Sequence, residues 1–234
     1  MSLEQRLQTI QIRVANATSE AGRGPQSVRL IAVSKTHPAA LVEEGHRLGV
    51  RVFGENYADE LAEKQASLKH LSDLVWVYIG QLQSNKIKKI VMHADEIQSI
   101  ATEKHARYVE RYVAEAGKSK FPVWIVVNAE AEDTKAGATF ADVPNIAHFI
   151  ATACPHLVLQ GIMAIPPAKY SDQAQAIEGK IQVPKLYKEL RKLADQTGLG
   201  KLSLGMTGDL QIAIAAGSDC IRIGTAIFGE RARK

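Results

Sequence analysis

Cysteine is scarce: the 234 residues include two, Cys154 and Cys220, too few and too far apart for a disulfide framework or a zinc site. No uninterrupted apolar run approaches the roughly 20 residues that a membrane-spanning helix needs. The start, Met1-Ser2-Leu3-Glu4-Gln5-Arg6, has neither the basic cluster nor the apolar core of a signal peptide. Low-complexity stretches are lacking, and no shift in composition marks a linker. Neither sign of charge dominates, since 29 Lys and Arg against 25 Asp and Glu leave +4. Basic residues gather at Lys86-Lys88-Lys89, at Lys118 and Lys120, and along Lys185, Lys188, Arg191 and Lys192. The last group is mixed with Glu189 and Asp195 on a helical pattern and reads as a solvated helix face. Nucleic-acid binding calls for a denser stripe with interleaved aromatics. The seven histidines show no HExxH spacing and no metal cluster. The expectation is a soluble, cytoplasmic protein without a membrane, nucleic-acid or metal partner.

Apolar residues at 46% and charged residues at 23% are enough to build a sizeable core. The chain alternates two textures. Short β-branched runs occur at 29–34, 50–53, 74–79, 96–100, 122–128, 157–163, 201–204 and 219–223. Amphipathic helical stretches lie between them, at 38–48, 58–71, 102–116 and 177–196 among others. Pro38 suits a first helical turn, and Gly49 and Gly117 suit helix ends. Strands such as Trp124-Ile125-Val126-Val127 are apolar throughout, as parallel strands covered on both faces are. Eight strands alternating with helices in this length predict a (β/α)8 TIM barrel, a single domain over 1–234, with an extra N-terminal helix at 3–21. A doubly wound sheet is the alternative, because strand order cannot be read from pattern. No long exposed apolar stretch demands a partner, so a monomer is expected.

In a barrel of this kind, chemistry comes from the C-terminal ends of strands. Those ends are Ser34-Lys35-Thr36, Gly54-Glu55-Asn56-Tyr57, Gly80-Gln81-Leu82-Gln83, Asn128, Met163, Gly205-Met206-Thr207 and Arg222-Ile223-Gly224-Thr225. Lys35 closes the run Leu30-Ile31-Ala32-Val33 and shares a strand face with Ile31 and Val33. If that face lines the barrel, the amine sits partly desolvated at its mouth. Desolvation lowers a lysine pKa, and a neutral amine forms a Schiff base with an aldehyde. A lysine that only extends to solvent from a strand end is the plain alternative.

The eighth strand offers a fixed cation at Arg222, a glycine amide at Gly224 and a hydroxyl at Thr225. It leads into a short helical stretch whose amides favour an anion, and Ser203 on the seventh strand adds a hydroxyl. In a closed barrel the eighth strand pairs with the first, so this anion pocket lies beside Lys35. An aldehyde-reactive lysine next to a phosphate site is what pyridoxal 5′-phosphate requires. Other motifs fail. Gly80 to Lys86 has the length of a P-loop, but Asn85 replaces its second glycine and Ile87 its Ser/Thr. Gly22-Arg23-Gly24 is not completed to GxGxxG. His37 could face the same mouth or the surface.

Six segments then carry a resemblance. They are Ala32-Val33-Ser34-Lys35-Thr36, Val52 to Tyr57, Ile79 to Lys86, Gly161 to Pro167, Leu202 to Met206 and Arg222 to Gly229. In this order, spanning 32–229, they resemble the pyridoxal-phosphate homeostasis protein family. The resemblance implies a barrel like the N-terminal domain of alanine racemase, with a Schiff base between Lys35 and pyridoxal 5′-phosphate. It also implies phosphate held by Ser203 and the amides of Gly224 and Thr225, Arg222 facing the pyridine nitrogen, and Asn56 and Met206 close to the cofactor. The implied role is carrier or buffer in intracellular vitamin B6 homeostasis, with apo-enzymes that use the cofactor as recipients and no established catalysis.

An amino-acid racemase is the alternative reading. An arginine against the pyridine nitrogen disfavours its protonation and makes the ring a poorer electron sink, although alanine racemase tolerates one. That enzyme also takes an acid/base group from a second domain, and the chain is expected to lack one because it stops at Lys234. A barrel for another phosphorylated metabolite, with Lys35 a bystander, is a more distant reading. Three departures from the family pattern stand out: Val77 where histidine is usual, Thr207-Gly208 after the seventh strand, and Ala129-Glu130-Ala131-Glu132 within a stretch that keeps Lys135 and Gly137.

Overall fold

The apolar runs pair side by side in parallel, and the amphipathic segments between them cover the outside of the resulting sheet. The computed structural model describes residues 1–129, 137–177 and 180–230. After α1 (Leu3–Glu20), strands and helices alternate: β1 (Arg29–Val33), α2 (Ala39–Arg47), β2 (Val52–Glu55), α3 (Ala58–Ser67), β3 (Val75–Tyr78), α4 (Ile87–His93), β4 (Glu96–Ile100), α5 (Glu103–Glu115), β5 (Phe121–Val127), α6 (Val143–Ala153) and β6 (Leu157–Ala164). Then come β7 (Ala176–Ile177), β8 (Lys180–Ile181), α7 (Lys185–Asp195), β9 (Lys201–Ser203), α8 (Leu210–Ala215), β10 (Cys220–Ile223) and α9 (Thr225–Phe228). Eight of the strands close into a parallel barrel in the order β1-β10-β9-β6-β5-β4-β3-β2. The doubly wound alternative is thereby excluded, and the predicted N-terminal helix is present.

One segment differs from its sequence pattern. The helical periodicity over 177–196 becomes a helix only at Lys185, while β7 and β8 form a small antiparallel pair before it. Pro184 is the reason. It lacks a backbone N–H and biases Val183 toward extended backbone, so it serves as the N-cap of α7 at ψ 155°.

Strand alternation sorts side chains into two layers. Ile31, Val77, Trp124 and Cys220 pack together inside the barrel. Their neighbours, among them Ala32, Phe53, Ile97, Ile162 and Ile221, point outward against Val42, Leu61, Ile90, Val109 and Leu190 of the helices. Each large aliphatic side chain buried this way contributes about 1.5–3 kcal/mol. Val77 is fully buried in the inner apolar layer.

The N-terminal helix has a structural task near the barrel mouth. Ser2 and Gln5 form a capping box, and Leu3, Leu7 and Ile10 are buried. Arg6 reaches α9, donating from Nε to the Ile227 carbonyl at 2.6 Å and from Nη2 to the Phe228 carbonyl at 3.4 Å. The end of the short helix after β10 is therefore tied down by α1.

Both cysteines are free and buried. Burial pushes the Cys154 thiol up to about 11 and the Cys220 thiol up to about 12. Neither thiol should react with a maleimide at neutral pH in the folded protein, and both should react in denaturant. Fast labelling of the native protein would contradict this packing. Gly80 supplies a second test, because a Cβ there would lie 2.0 Å from the Asn56 carbonyl oxygen. The substitution Gly80→Ala should lower the free energy of unfolding by about 1–3 kcal/mol, measured by urea denaturation.

Candidate functional site

Pairing of β1 with β10 puts Ile31 opposite Arg222 and Ala32 opposite Ile223. The inward positions above that pair are Val33 and Lys35 on one strand and the Gly224-Thr225 turn on the other. A cavity of about 270 Å³ opens there, at the C-terminal mouth of the barrel. Lys35, Asn56, Met206, Arg222, Gly224 and Thr225 all line it, with Val33, Ile79 and Met163 as apolar walls and Thr207-Gly208 at the rim. The structure thus brings together Lys35 and Thr225, 190 positions apart in sequence.

Ser203 is placed differently. It is fully buried beneath the cavity, where its hydroxyl donates to Gln98 Oε1 at 2.8 Å and accepts from Arg222 Nη1 at 2.7 Å. Arg222 also donates to the Ser203 carbonyl and to the Ala164 carbonyl, each at 2.8 Å. The guanidinium is fixed from below by these acceptors. Burial pulls its pKa down to about 10, which leaves it a cation at neutral pH.

Below Ser203 the polar chain continues through the barrel. Gln98 Nε2 donates to Glu96 Oε1 at 2.6 Å, and Arg29 Nη1 donates to Glu96 Oε2 at 2.6 Å. Because Gln98 gives its N–H to a carboxylate, its carbonyl faces Ser203, and every donor between Arg222 and Glu96 points the same way. Glu96 and Gln98 were missed in sequence. The available signal was Glu96-Ile97-Gln98, which puts two polar residues on one face of a strand otherwise suited to a core.

Gly224 lies against β1: a Cβ there would stand 3.3 Å from the Val33 carbonyl oxygen. Glycine lets the β10 backbone run close to the base of Lys35 and leaves its amide approachable. Asn56 Oδ1 is buried with no hydrogen-bond partner. An unmet buried acceptor costs about 1–3 kcal/mol, a cost that a ligand hydroxyl can offset. His37 stacks on α9, its ring centroid 5.3 Å from that of Phe228. Residues 130–136, with Lys135, lie outside the described residues.

The site therefore combines a half-buried amine, a fixed cation, approachable amides, hydroxyls and an unmet acceptor. Among the described residues, its lining holds no carboxylate, imidazole, phenol or thiol. Among the described residues there is no group of three or more His, Cys, Asp or Glu that could hold a metal, and no helix long and apolar enough to cross a membrane.

A family model described as alanine racemase, N-terminal domain, matches residues 6–232. A Pseudomonas aeruginosa protein named pyridoxal phosphate homeostasis protein is 38% identical over 232 residues, covering 98% of this chain and 96% of its own. The chain belongs to the pyridoxal phosphate homeostasis protein family. The Escherichia coli K12 member is 36% identical over 228 residues, covering 96% of this chain and 95% of its own. Among solved structures, PipY of Synechococcus elongatus, described with pyridoxal phosphate bound, superposes with a TM-score of 0.76 at 32% identity, covering 97% of this chain and all of its own. A Clostridium difficile alanine racemase shares the fold at a TM-score of 0.70 and 10% identity, with 97% of this chain matching 57% of that one.

Within this family member, Gln98→Leu would leave Ser203 and Glu96 short of a partner inside the barrel. The expected loss is about 1–3 kcal/mol of unfolding free energy, read from the urea midpoint. An unchanged midpoint would show that the polar chain does not bear on the fold.

Proposed function

We propose that this protein binds pyridoxal 5′-phosphate in the cavity at the barrel mouth and acts as an intracellular carrier or buffer of that cofactor. One observation carries the reading: the β1–β10 register places the Lys35 amine and the Arg222-Gly224-Thr225 arm in a single cavity. The residues present fit the group. The phosphate matches the approachable amides of Gly224 and Thr225 and the Thr225 hydroxyl. A ring hydroxyl matches the unmet Asn56 oxygen, and Val33, Ile79 and Met163 offer apolar faces to a ring. When bound, the cofactor supplies an aldehyde that amines take up reversibly and exchange.

Lys35, a half-buried residue two positions past the end of β1, would hold that aldehyde through its amine. Arg222 meets the ring nitrogen as a cation and keeps a proton off it, since two adjacent positive charges repel. Ser203 serves the site through Arg222, whose guanidinium it holds from below. Met206 closes the cavity from the loop after β9, with its N–H held by Asp209 Oδ1 at 2.7 Å.

Support for binding rather than catalysis comes from the lining. Moving a proton on and off both faces of a substrate carbon requires a second acid/base group opposite Lys35. Among the described lining residues no carboxylate, imidazole, phenol or thiol stands there. Reversible capture needs only Lys35, and an apo-enzyme whose own lysine displaced the Lys35 amine from the same carbon would become the recipient, returning Lys35 as a free amine.

Incubation with pyridoxal 5′-phosphate, borohydride reduction and peptide mass mapping test the assignment. A single reduced adduct on Lys35, absent from Lys35→Ala, is expected. Label scattered over surface lysines would overturn the site. Transfer to an apo-enzyme faster than release into solution is expected of a carrier. Deuterium uptake from solvent at the α-carbon of alanine, abolished by Lys35→Ala, would instead make the protein a racemase.

A further inference from the structure

Lys35 leaves β1 on a backbone held from both sides by the β2–α3 unit. On its N-terminal side Ser34 is buried, donating from Oγ to Glu55 Oε1 at 2.6 Å. The Ser34 carbonyl accepts from Lys64 Nζ at 2.7 Å. On its C-terminal side the Thr36 N–H donates to Glu60 Oε1 at 2.6 Å. Lys64 joins the two halves, donating to Glu55 Oε1 at 2.6 Å and to Glu60 Oε1 at 2.7 Å. One hydrogen of that ammonium goes to a neighbour of Lys35, and the other two go to the carboxylates that hold Ser34 and Thr36.

Two features of this cluster run against stability. Glu55 is fully buried and Lys64 is 4% exposed, and a buried ion pair recovers its desolvation cost poorly. Burial holds the Glu55 carboxyl above its ordinary range despite the Lys64 ammonium beside it, and Glu55 Oε2 has no hydrogen-bond partner. Thr36 sits at φ 65°, left-handed backbone that a β-branched residue seldom adopts. Strain of this kind persists only where the surroundings over-determine it. Here the Glu60 contact to its N–H does so, and the strained residue immediately follows Lys35.

We infer that Glu55, Glu60 and Lys64 are positioning residues: through Ser34 and Thr36 they clamp the end of β1 so that the Lys35 amine is presented into the cavity at an angle that captures an aldehyde. The inference rests on Lys35 being the attachment point. Orientation is where such a clamp acts, because displacement of a reacting atom by about 1 Å can cost about a hundredfold in rate. The clamp acts through the backbone on either side of Lys35, at Ser34 and Thr36. Phosphate recognition, assigned to Gly224 and Thr225 after β10, lies outside its reach.

That separation supplies the test. The double variant Glu55→Gln/Lys64→Met removes both charges and keeps the volume nearly unchanged. Its rate of borohydride-trapped capture of pyridoxal 5′-phosphate at Lys35 should fall tenfold or more, on the order of that orientation effect. Its affinity for pyridoxamine 5′-phosphate, which has no aldehyde, should stay within about twofold, since the β10 contacts are untouched. Its thermal midpoint should stay close to that of the wild type, because Glu55 and Lys64 are neutralised together and neither is left as an unpaired buried charge. Glu60→Leu, which removes only the outer arm, should slow capture in the same way and covers the case of a double variant that does not fold. Capture at the wild-type rate would overturn the clamp, as would parallel losses of midpoint and pyridoxamine 5′-phosphate affinity, which mark a merely structural cluster. A wild-type protein that gives no Lys35 adduct would instead overturn the assignment of Lys35, a result separate from either outcome in the variants.

Discussion

Closure of the barrel between β1 and β10 is the constraint on which the site depends, because it brings cavity residues from opposite ends of the chain side by side. Pairing of Ile31 with Arg222 sets the level of every inward group above them. A one-residue slip in a parallel pair would turn Arg222 or Lys35 outward into the helical layer. The slip is opposed by both layers at once: Ile31 and Cys220 belong to the inner cluster, while Ala32, Ile221 and Ile223 are buried in the outer one. Hydrophobic packing thus enforces the register, and the register enforces the chemistry.

Within that frame, two clusters of buried polar groups each support one arm of the cavity. Arg222 stands on Ser203, Gln98 and Glu96 inside the barrel. Lys35 stands on Ser34 and Thr36, which Glu55, Lys64 and Glu60 hold from the layer outside it. Strand alternation keeps the two systems apart. Glu55 follows Gly54 and points outward, and Asn56 follows Glu55 and points inward to line the cavity. The desolvation cost of both systems is carried by an otherwise apolar core. Such local expense is expected where geometry must be kept for binding rather than for folding.

Much of the fold was legible because periodicity is a local signal. The barrel strands all occur near their predicted positions, since runs such as Trp124 to Val127 can be covered on both faces only in a parallel sheet. Pro184 obscured the start of α7, where a helical apolar spacing continued upstream of a residue that blocks the helix. For the site, Lys35, Arg222, Gly224 and Thr225 were visible as oddities at strand ends. The roles of Gln98, Glu96 and Lys64 were not, because a polar residue on a strand or helix does not announce which side chain will face it.

Ser203 marks the boundary between the two kinds of knowledge. Its residue type and strand position point to the barrel mouth, yet its hydroxyl lies one layer lower, between Gln98 and Arg222. The amino-acid sequence by itself determined the alternation of strands and helices, the burial of the strands on both faces and the identity of the strand-end residues, since these follow from local periodicity and backbone preference. Closure into a barrel was left to the tertiary structure. Only the tertiary structure decided which of those residues share a cavity and which serve as supports. Hydrogen-bond partners across a barrel are chosen by register and side-chain reach, and both come into being only when distant strands close on one another.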